Sequence, residues 1–326
     1  MISGENILVT GGAGYIGSHL VDALVERNNV TVLDNLSTGR IENIRHNLGK
    51  KGFRFVKGDV EDTETVRKAA AGCDIIVHEA AVVGVKHYVE DPLKVLLVNS
   101  RGMESVLEAA RRRDAKVVFA STSEVYGKSS NLPLSEEGDR LLGPTTIDRW
   151  CYSTSKAFDE HVCFGYHKRY SLPIVVLRYF NSYGPRADGS EYSTVIPIFI
   201  NRVLRNKPPQ VHGNGRQTRC FTYIDDTVMG TLLAMESRKA VGEVINIGTD
   251  KEISILELAE RIIEVSGKKM KPQFIPYESF YGKSYEDIRR RVPDVRKARK
   301  VLGWEPKVKL KEGLIKTFEW YEGVVR

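Results

Sequence analysis

The chain has 326 residues, 41% of them hydrophobic and 28% charged, enough to bury a sizeable core as one large domain or two coupled lobes. No apolar run approaches the length of a membrane span, and Met1–Asn6 is too polar for a signal peptide, so a cytoplasmic protein is expected. The net charge of +7 suits anionic small ligands better than nucleic acid, because the Arg and Lys clusters are short and interrupted by acids.

Asn6–Thr10 reads as a buried strand. Thr10-Gly11-Gly12-Ala13-Gly14-Tyr15-Ile16-Gly17 follows it and opens a helix over residues 16–26. In that strand–turn–helix context Gly11 makes the tight turn, Gly14 admits a pyrophosphate close to the backbone, and Gly17 lets helix and strand approach. The helix N-terminus then faces the phosphate charge. A second strand over residues 30–33 ends at Asp34, followed by Asn35. A carboxylate there can hold an adenosine ribose and repels a 2′-phosphate, which favours NAD over NADP. Strands are predicted over residues 53–56, 75–78 and 116–120, with helices near 61–70 and 93–112. Asp59 either neighbours the adenine or caps the helix that starts near Glu61. Tandem βα units of this length predict a Rossmann-type parallel sheet with helices on both faces.

After the fifth strand comes Ser121-Thr122-Ser123-Glu124-Val125-Tyr126-Gly127, and further on Tyr152-Ser153-Thr154-Ser155-Lys156. Tyr152 and Lys156 are four apart on a helix running to about residue 170, hence on one face. A phenol with pKa of about 10 is a poor base at neutral pH. The Lys156 ammonium, helped by a positive nicotinamide, is expected to lower it, and Lys156 can also hold the nicotinamide ribose. Thr122 supplies a hydroxyl at the strand end, where sites of open α/β sheets gather. Glu124 adds a second acid/base group that bare alcohol oxidation does not need.

Pro173 precedes a strand over residues 174–178, and Gly184-Pro185-Arg186-Ala187-Asp188-Gly189 reads as a loop. Helices are predicted over 195–204, 224–236, 255–265 and 314–321, a turn region over 208–215, a strand over 244–247 and irregular basic chain over 268–294. Residues 1–180 are therefore expected to form the dinucleotide-binding domain. Residues 181–326 are expected to form a smaller mixed α/β substrate lobe, with some elements returning to the first domain. Cys73, Cys151, Cys163 and Cys220 have no metal spacing, and His161 and His167 are six apart, so no metal site is expected.

On these motifs the chain resembles the extended short-chain dehydrogenase/reductase family, the NAD-dependent nucleotide-sugar epimerases, dehydratases and decarboxylases. The likeness continues through Arg178-Tyr179-Phe180-Asn181-Ser182-Tyr183-Gly184-Pro185-Arg186, Arg219-Cys220-Phe221-Thr222-Tyr223-Ile224-Asp225-Asp226 and Asn246-Ile247-Gly248, so it covers essentially the whole chain. It implies a tightly held NAD reduced and reoxidised in one turnover, a nucleoside-diphosphate sugar in the cleft, and a homodimer. It implies cofactor contacts at Gly11, Gly14, Tyr15, Ile16, Gly17, Asp34, Asn35, Asp59, Val60, Ala80, Asn99, Tyr152 and Lys156. The implied catalytic group is Thr122, Glu124, Tyr152 and Lys156, and the implied substrate contacts are Lys86, Ser123, Asn181, Val195, Ile196, His212 and Arg219.

Family 4-epimerases usually carry small residues where Ser123 and Glu124 stand, whereas UDP-glucuronate decarboxylases match Thr-Ser-Glu. A guanosine-sugar dehydratase can also present Ser-Glu. Tyr281–Pro293 resembles the decarboxylase segment whose arginine reaches the sugar, which places that arginine at Arg291 and adds it to the catalytic group. The expected reaction is UDP-glucuronate to UDP-xylose. The alternatives are 4-epimerisation of a UDP-hexose, 4,6-dehydration, and, from another class, a non-catalytic nucleotide-binding regulator.

Overall fold

A computed structural model describes residues 2–187, 194–276 and 288–325. Its frame is a seven-stranded sheet in the order β11-β6-β5-β4-β1-β2-β3, parallel at every pairing. The strands are β1 (Asn6–Thr10), β2 (Asn29–Asp34), β3 (Phe53–Lys57), β4 (Ile75–His78), β5 (Lys116–Thr122), β6 (Ile174–Tyr179) and β11 (Val244–Ile247). The chain order reverses between β1 and β4, and ligands of doubly wound sheets bind at such a switch.

Near-continuous apolar strands form because both sheet faces are covered. Ile7, Val9, Val32 and Val77 pack toward α1 (Tyr15–Val25) and α7 (Ile224–Glu236). Leu8, Leu33, Ile76 and Phe119 face the other way, toward α2 (Thr63–Ala69), α4 (Pro92–Arg111) and α5 (Trp150–Tyr170). The helix starts follow local chemistry. Asp62 accepts from Glu64 N and Thr65 N to begin α2, and Asp91 accepts from Lys94 N with Pro92 in the first turn of α4. Asp62, not Asp59, is therefore the cap.

The C-terminal half adds α6 (Val195–Leu204), α8 (Ile255–Ser266), α9 (Arg296–Leu302) and α10 (Leu310–Val325). Its strands pair in twos: β7 (Ser182–Tyr183) with β10 (Thr222–Tyr223), β9 (Thr218–Cys220) with β12 (Glu252–Ser254), and β8 (Gln210–His212) with β13 (Gln273–Ile275). β11 leaves this half to pair with β6 at the edge of the main sheet.

The structure departs from the expectations in several places. Residues 208–215 hold β8, and the stretch read as irregular holds β13; each is too short for a period of two to show. The short helices α3 (Val85–Glu90) and α9 were not expected, because six or seven residues are too few for a helical apolar period to show. The closing helix is longer than residues 314–321 at both ends.

Candidate active site

The glycine turn is built by close approach. Gly11 has φ +67°, and a Cβ on it would lie 2.7 Å from Ala80 N. A Cβ on Gly17 would overlap the Gly11 carbonyl oxygen. Gly14 N donates to Gly11 O at 3.0 Å, and among the described residues no side chain caps α1, which leaves its first-turn N–H groups available to a phosphate. Ala80 N donates to Thr10 Oγ1 at 3.3 Å, tying the β4 loop to this turn.

Asp34 closes β2 and accepts from Ala13 N at 3.0 Å and Leu36 N at 2.8 Å. Burial raises its carboxyl, and the two N–H groups oppose that. Asn35 donates to Asp59 Oδ2 at 2.8 Å, while Asp59 Oδ1 accepts from Glu61 N at 3.0 Å. These residues therefore form one polar ledge beside the turn, and the site fits a dinucleotide with a free ribose 2′-hydroxyl.

The side chains of the other residues expected at the cofactor make contacts within the protein. The Tyr15 hydroxyl is buried beside Tyr183, Tyr223 and Tyr321 and finds no hydrogen-bond partner among the described residues. Both Tyr15 and Ile16 are partly buried and pack against the core. Val60 is buried against Gly102 of α4. The Asn99 amide is occupied, since it accepts from Val82 N at 2.8 Å and donates to Val82 O at 3.3 Å and Ser155 Oγ at 3.2 Å. Asn99 thus fixes the β4 loop against α4 and α5.

The reacting groups converge at the C-terminal ends of β5 and β4. Thr122 ends β5, and its Oγ1 accepts from Glu124 N at 3.1 Å, turning the chain into the 3₁₀ segment Ser123–Tyr126. Lys156 is buried, donates from Nζ to Ala120 O at 2.9 Å and sits 4.5 Å from the Phe119 ring centroid. Burial lowers its affinity for a proton. Tyr152 is raised well above the usual phenol value, first by burial and then by the Glu124 charge, with the Thr122 hydrogen bond opposing. The expected downward shift of Tyr152 is thus not a property of the protein alone. Lys156 does not outweigh desolvation and a neighbouring carboxylate. Tyr88 of α3 stacks on Tyr152, with ring centroids 5.0 Å apart and planes at 12°.

Glu124 is held between two guanidiniums. Arg291 Nη1 donates to Oε1 at 2.7 Å and to Ser123 Oγ at 3.3 Å, and Arg149 Nη2 donates to Oε2 at 3.3 Å. Burial pushes the Glu124 carboxyl up, but Arg291, Arg149 and Arg219 outweigh it and bring the group to about 2. Arg291 is 3% exposed, yet its Nε and Nη2 have no hydrogen-bond partner among the described residues. Two buried arginines against one carboxylate leave this corner positively charged. Arg149 was not among the expected site residues, although Arg149-Trp150, just before Tyr152, resembles the decarboxylase group.

Of the expected sugar-nucleotide contacts, Asn181 (φ +42°) donates to Cys220 O at 2.9 Å, and Arg219 of β9 donates to Thr218 O at 2.8 Å. His212 lies on β8, and Val195 opens α6 partly buried. Ile196 is fully buried and packs in the core. Lys86 falls in α3, and its side chain is outside the described residues, as are residues 281–287 of the decarboxylase-like segment and 188–189 of the loop.

A glycine turn on an uncapped helix beside a Tyr–Lys pair defines a dinucleotide-dependent α/β enzyme acting on an alcohol. The family model described as GDP-mannose 4,6 dehydratase matches residues 8–317. The UDP-N-acetyl-α-D-glucosaminuronate decarboxylase of Bacillus cytotoxicus is 39% identical over 321 residues, covering 98% of each chain. Among solved structures, the UDP-N-acetylglucosamine 4-epimerase of Methanobrevibacter ruminantium in complex with UDP-N-acetylmuramic acid superposes with a TM-score of 0.90. It is 32% identical and covers 99% of this chain and all of its own. The UDP-glucuronic acid 4-epimerase of Bacillus cereus, in complex with UDP-glucuronic acid and NAD, gives a TM-score of 0.86 at 33% identity, covering 98% of this chain and 99% of its own. The chain belongs to the family of NAD-dependent nucleotide-sugar epimerases, dehydratases and decarboxylases.

Proposed function

We propose that the protein decarboxylates a UDP-linked uronate, UDP-glucuronate to UDP-xylose, through a transient 4-ketone. One observation carries this reading. Arg291 is buried beside Glu124 and keeps Nε and Nη2 without a hydrogen-bond partner among the described residues. That edge of a guanidinium matches a planar carboxylate with two parallel hydrogen bonds.

When bound, NAD supplies the hydride acceptor for C4, later returns the hydride, and adds a positive charge that favours the Tyr152 phenolate. The first turn of α1 and Asp34 would hold it, with Lys156 at its nicotinamide ribose. Tyr152 Oη takes the C4 hydroxyl proton, with Thr122 in the hydrogen-bond network. The ketone lies β to the C6 carboxylate, so the C5–C6 bond breaks, carbon dioxide leaves and the electron pair moves onto the ketone oxygen. C5 must then gain a proton. Glu124 carries none at neutral pH, so its role is to orient a water for that step and to anchor Arg291. Asn181 and Arg219 are assigned to the diphosphate. Exposed Leu93 on α4 and Phe158 on α5 offer apolar surface for a homodimer, which sedimentation velocity checks.

The test is incubation with UDP-glucuronate, UDP-N-acetylglucosaminuronate and UDP-glucose, with products read by mass and sugar configuration. A mass loss equal to carbon dioxide from either uronate supports the reading, and the two uronates decide what C2 carries. The decarboxylase relative's substrate bears an acetamido group there. Inversion at C4 without mass change would instead make the protein an epimerase, the second reading, favoured by the likeness to a 4-epimerase that binds UDP-glucuronic acid.

A further inference from the structure

Glu79, directly after β4, is a carboxyl that the chemistry above leaves unused. Its N–H donates to Thr10 O at 3.2 Å, and a Cβ on Gly11 would lie 3.0 Å from its carbonyl carbon, so it is built against the glycine turn. Its side chain reaches β6 and α7, where three oxygen–oxygen contacts run in series. Glu79 Oε1 lies 2.9 Å from the Tyr179 hydroxyl, and that hydroxyl lies 2.8 Å from Thr231 Oγ1. Thr231 Oγ1 in turn donates to Thr227 O at 2.9 Å.

Each contact needs one hydrogen between its oxygens. Thr227 O is a main-chain carbonyl, so Thr231 must supply the hydrogen there. Tyr179 then has one hydrogen for two neighbours. If it serves a Glu79 carboxylate, two buried hydroxyl oxygens face each other at 2.8 Å with no hydrogen between them, which is costly where Thr231 is fully buried. A proton on Glu79 satisfies all three contacts.

We propose that Glu79 is held as a neutral carboxylic acid donating to Tyr179, and that it is a positioning residue whose proton keeps the Lys156 charge directed at Tyr152. The first half stands on the hydrogen count alone; the second rests on Tyr152 as the base. The titratable groups facing Glu79 are Tyr179 from β6 and Lys156 and Tyr152 from α5. Burial raises its carboxyl more than the Tyr179 bond and Lys156 lower it, placing it at about 7. Next to it on β4, His78 is lowered by burial to about 3 and adds no charge. Asp159 and Glu160 act on Lys156 from its own helix. An ionised Glu79 would join them in drawing on Lys156 and would also raise Tyr152.

Infrared difference spectra of wild type minus E79Q, on the cofactor-loaded protein from about pH 5 to 9, test the first half. The expected result is a carboxylic-acid C=O band present only in wild type and fading as pH rises through about 7. Its absence at the acid end, in an E79Q protein of unchanged circular dichroism, overturns the proposal. For the second half, kcat of the wild type should fall as Glu79 ionises above about pH 7, whereas E79Q, neutral at every pH, should match wild type on the acid side and lose that fall. A fall above about pH 7 that is the same in E79Q, with the band present, retires the positioning role and keeps the neutral acid. Loss of every sugar activity in wild type would fail the reading of Tyr152, while the band would still decide Glu79.

Discussion

Glu124 sets the electrostatics of the reacting corner, and its removal tests them directly. Glu124→Gln keeps the shape but leaves Arg291 and Arg149 buried without a counter-charge. Breaking such a pair costs about 3–5 kcal/mol, so urea denaturation at neutral pH should show a loss at the lower end of that range, the carboxylate being partly solvated. The pH dependence has a definite sign. Glu124 lies at about 2 in the fold against 4.5 ordinarily, so its stabilisation is complete above the unfolded value and is lost as pH falls through the folded one. The deficit of Glu124→Gln should therefore shrink steadily as acid is added from pH 5 downward. A deficit that stays constant would mean the carboxylate charge is not what holds the two arginines. If the proposed decarboxylation holds, turnover gives a second readout: the substitution should slow carbon dioxide release at least about tenfold while reduced cofactor still forms.

Helix α7 shows how one side chain can finish an element whose own sequence lacks a stop. Its last turn has no basic residue and no glycine follows it directly. Lys116, from the start of β5, donates instead to Ala234 O, Met235 O and Ser237 O at 2.8, 2.8 and 3.0 Å. Lys116→Met removes those donors and leaves carbonyls of a partly buried helix end unpaired, at a cost of about 1–3 kcal/mol. Thermal melting checks it, with Lys116→Arg expected to recover part of the loss. Contacts of this kind also mark where sequence reading stops. The βα alternation, the glycine turn and the Tyr152–Lys156 pair were legible because each is local, as strand length, φ requirement or helical spacing. Helices α6 and α7 and strand β11 were placed to the residue by apolar pattern. The three-residue strands β8 and β13, and the bond from Lys116 to α7, were not, since their partners lie some 60 and 120 positions away. The upward shift of Tyr152 was hidden for the same reason, because burial is a property of the assembled chain.

Arg291 reaches a site built by the N-terminal half, 167 positions from Glu124, and something must hold it there. The segment carrying it is stitched to the loop after β5 by Leu134 N to Val292 O at 2.7 Å and Asp294 N to Leu134 O at 2.9 Å. Asn246, fully buried on β11, ties both strands of that seam. Its Nδ2 donates to Leu134 O at 2.9 Å and Asp294 O at 3.1 Å, its Oδ1 accepts from Tyr126 at 2.7 Å, and its N–H donates to Glu136 at 2.8 Å. β11 is thus both the last strand of the sheet and the clamp that presents Arg291. Asn246→Asp is nearly isosteric, yet it turns two donated bonds into oxygens facing carbonyl oxygens. Burying that conflict should cost about 2–4 kcal/mol by urea denaturation. If the seam positions Arg291, kcat for the uronate should fall more than stability alone explains, measured well below the melting temperature. Binding of UDP, which lacks the sugar carboxylate, should change little by calorimetry. Equal loss of UDP affinity and kcat would instead mean that the substitution loosens the C-terminal lobe as a body, and Arg291 would have no particular dependence on Asn246.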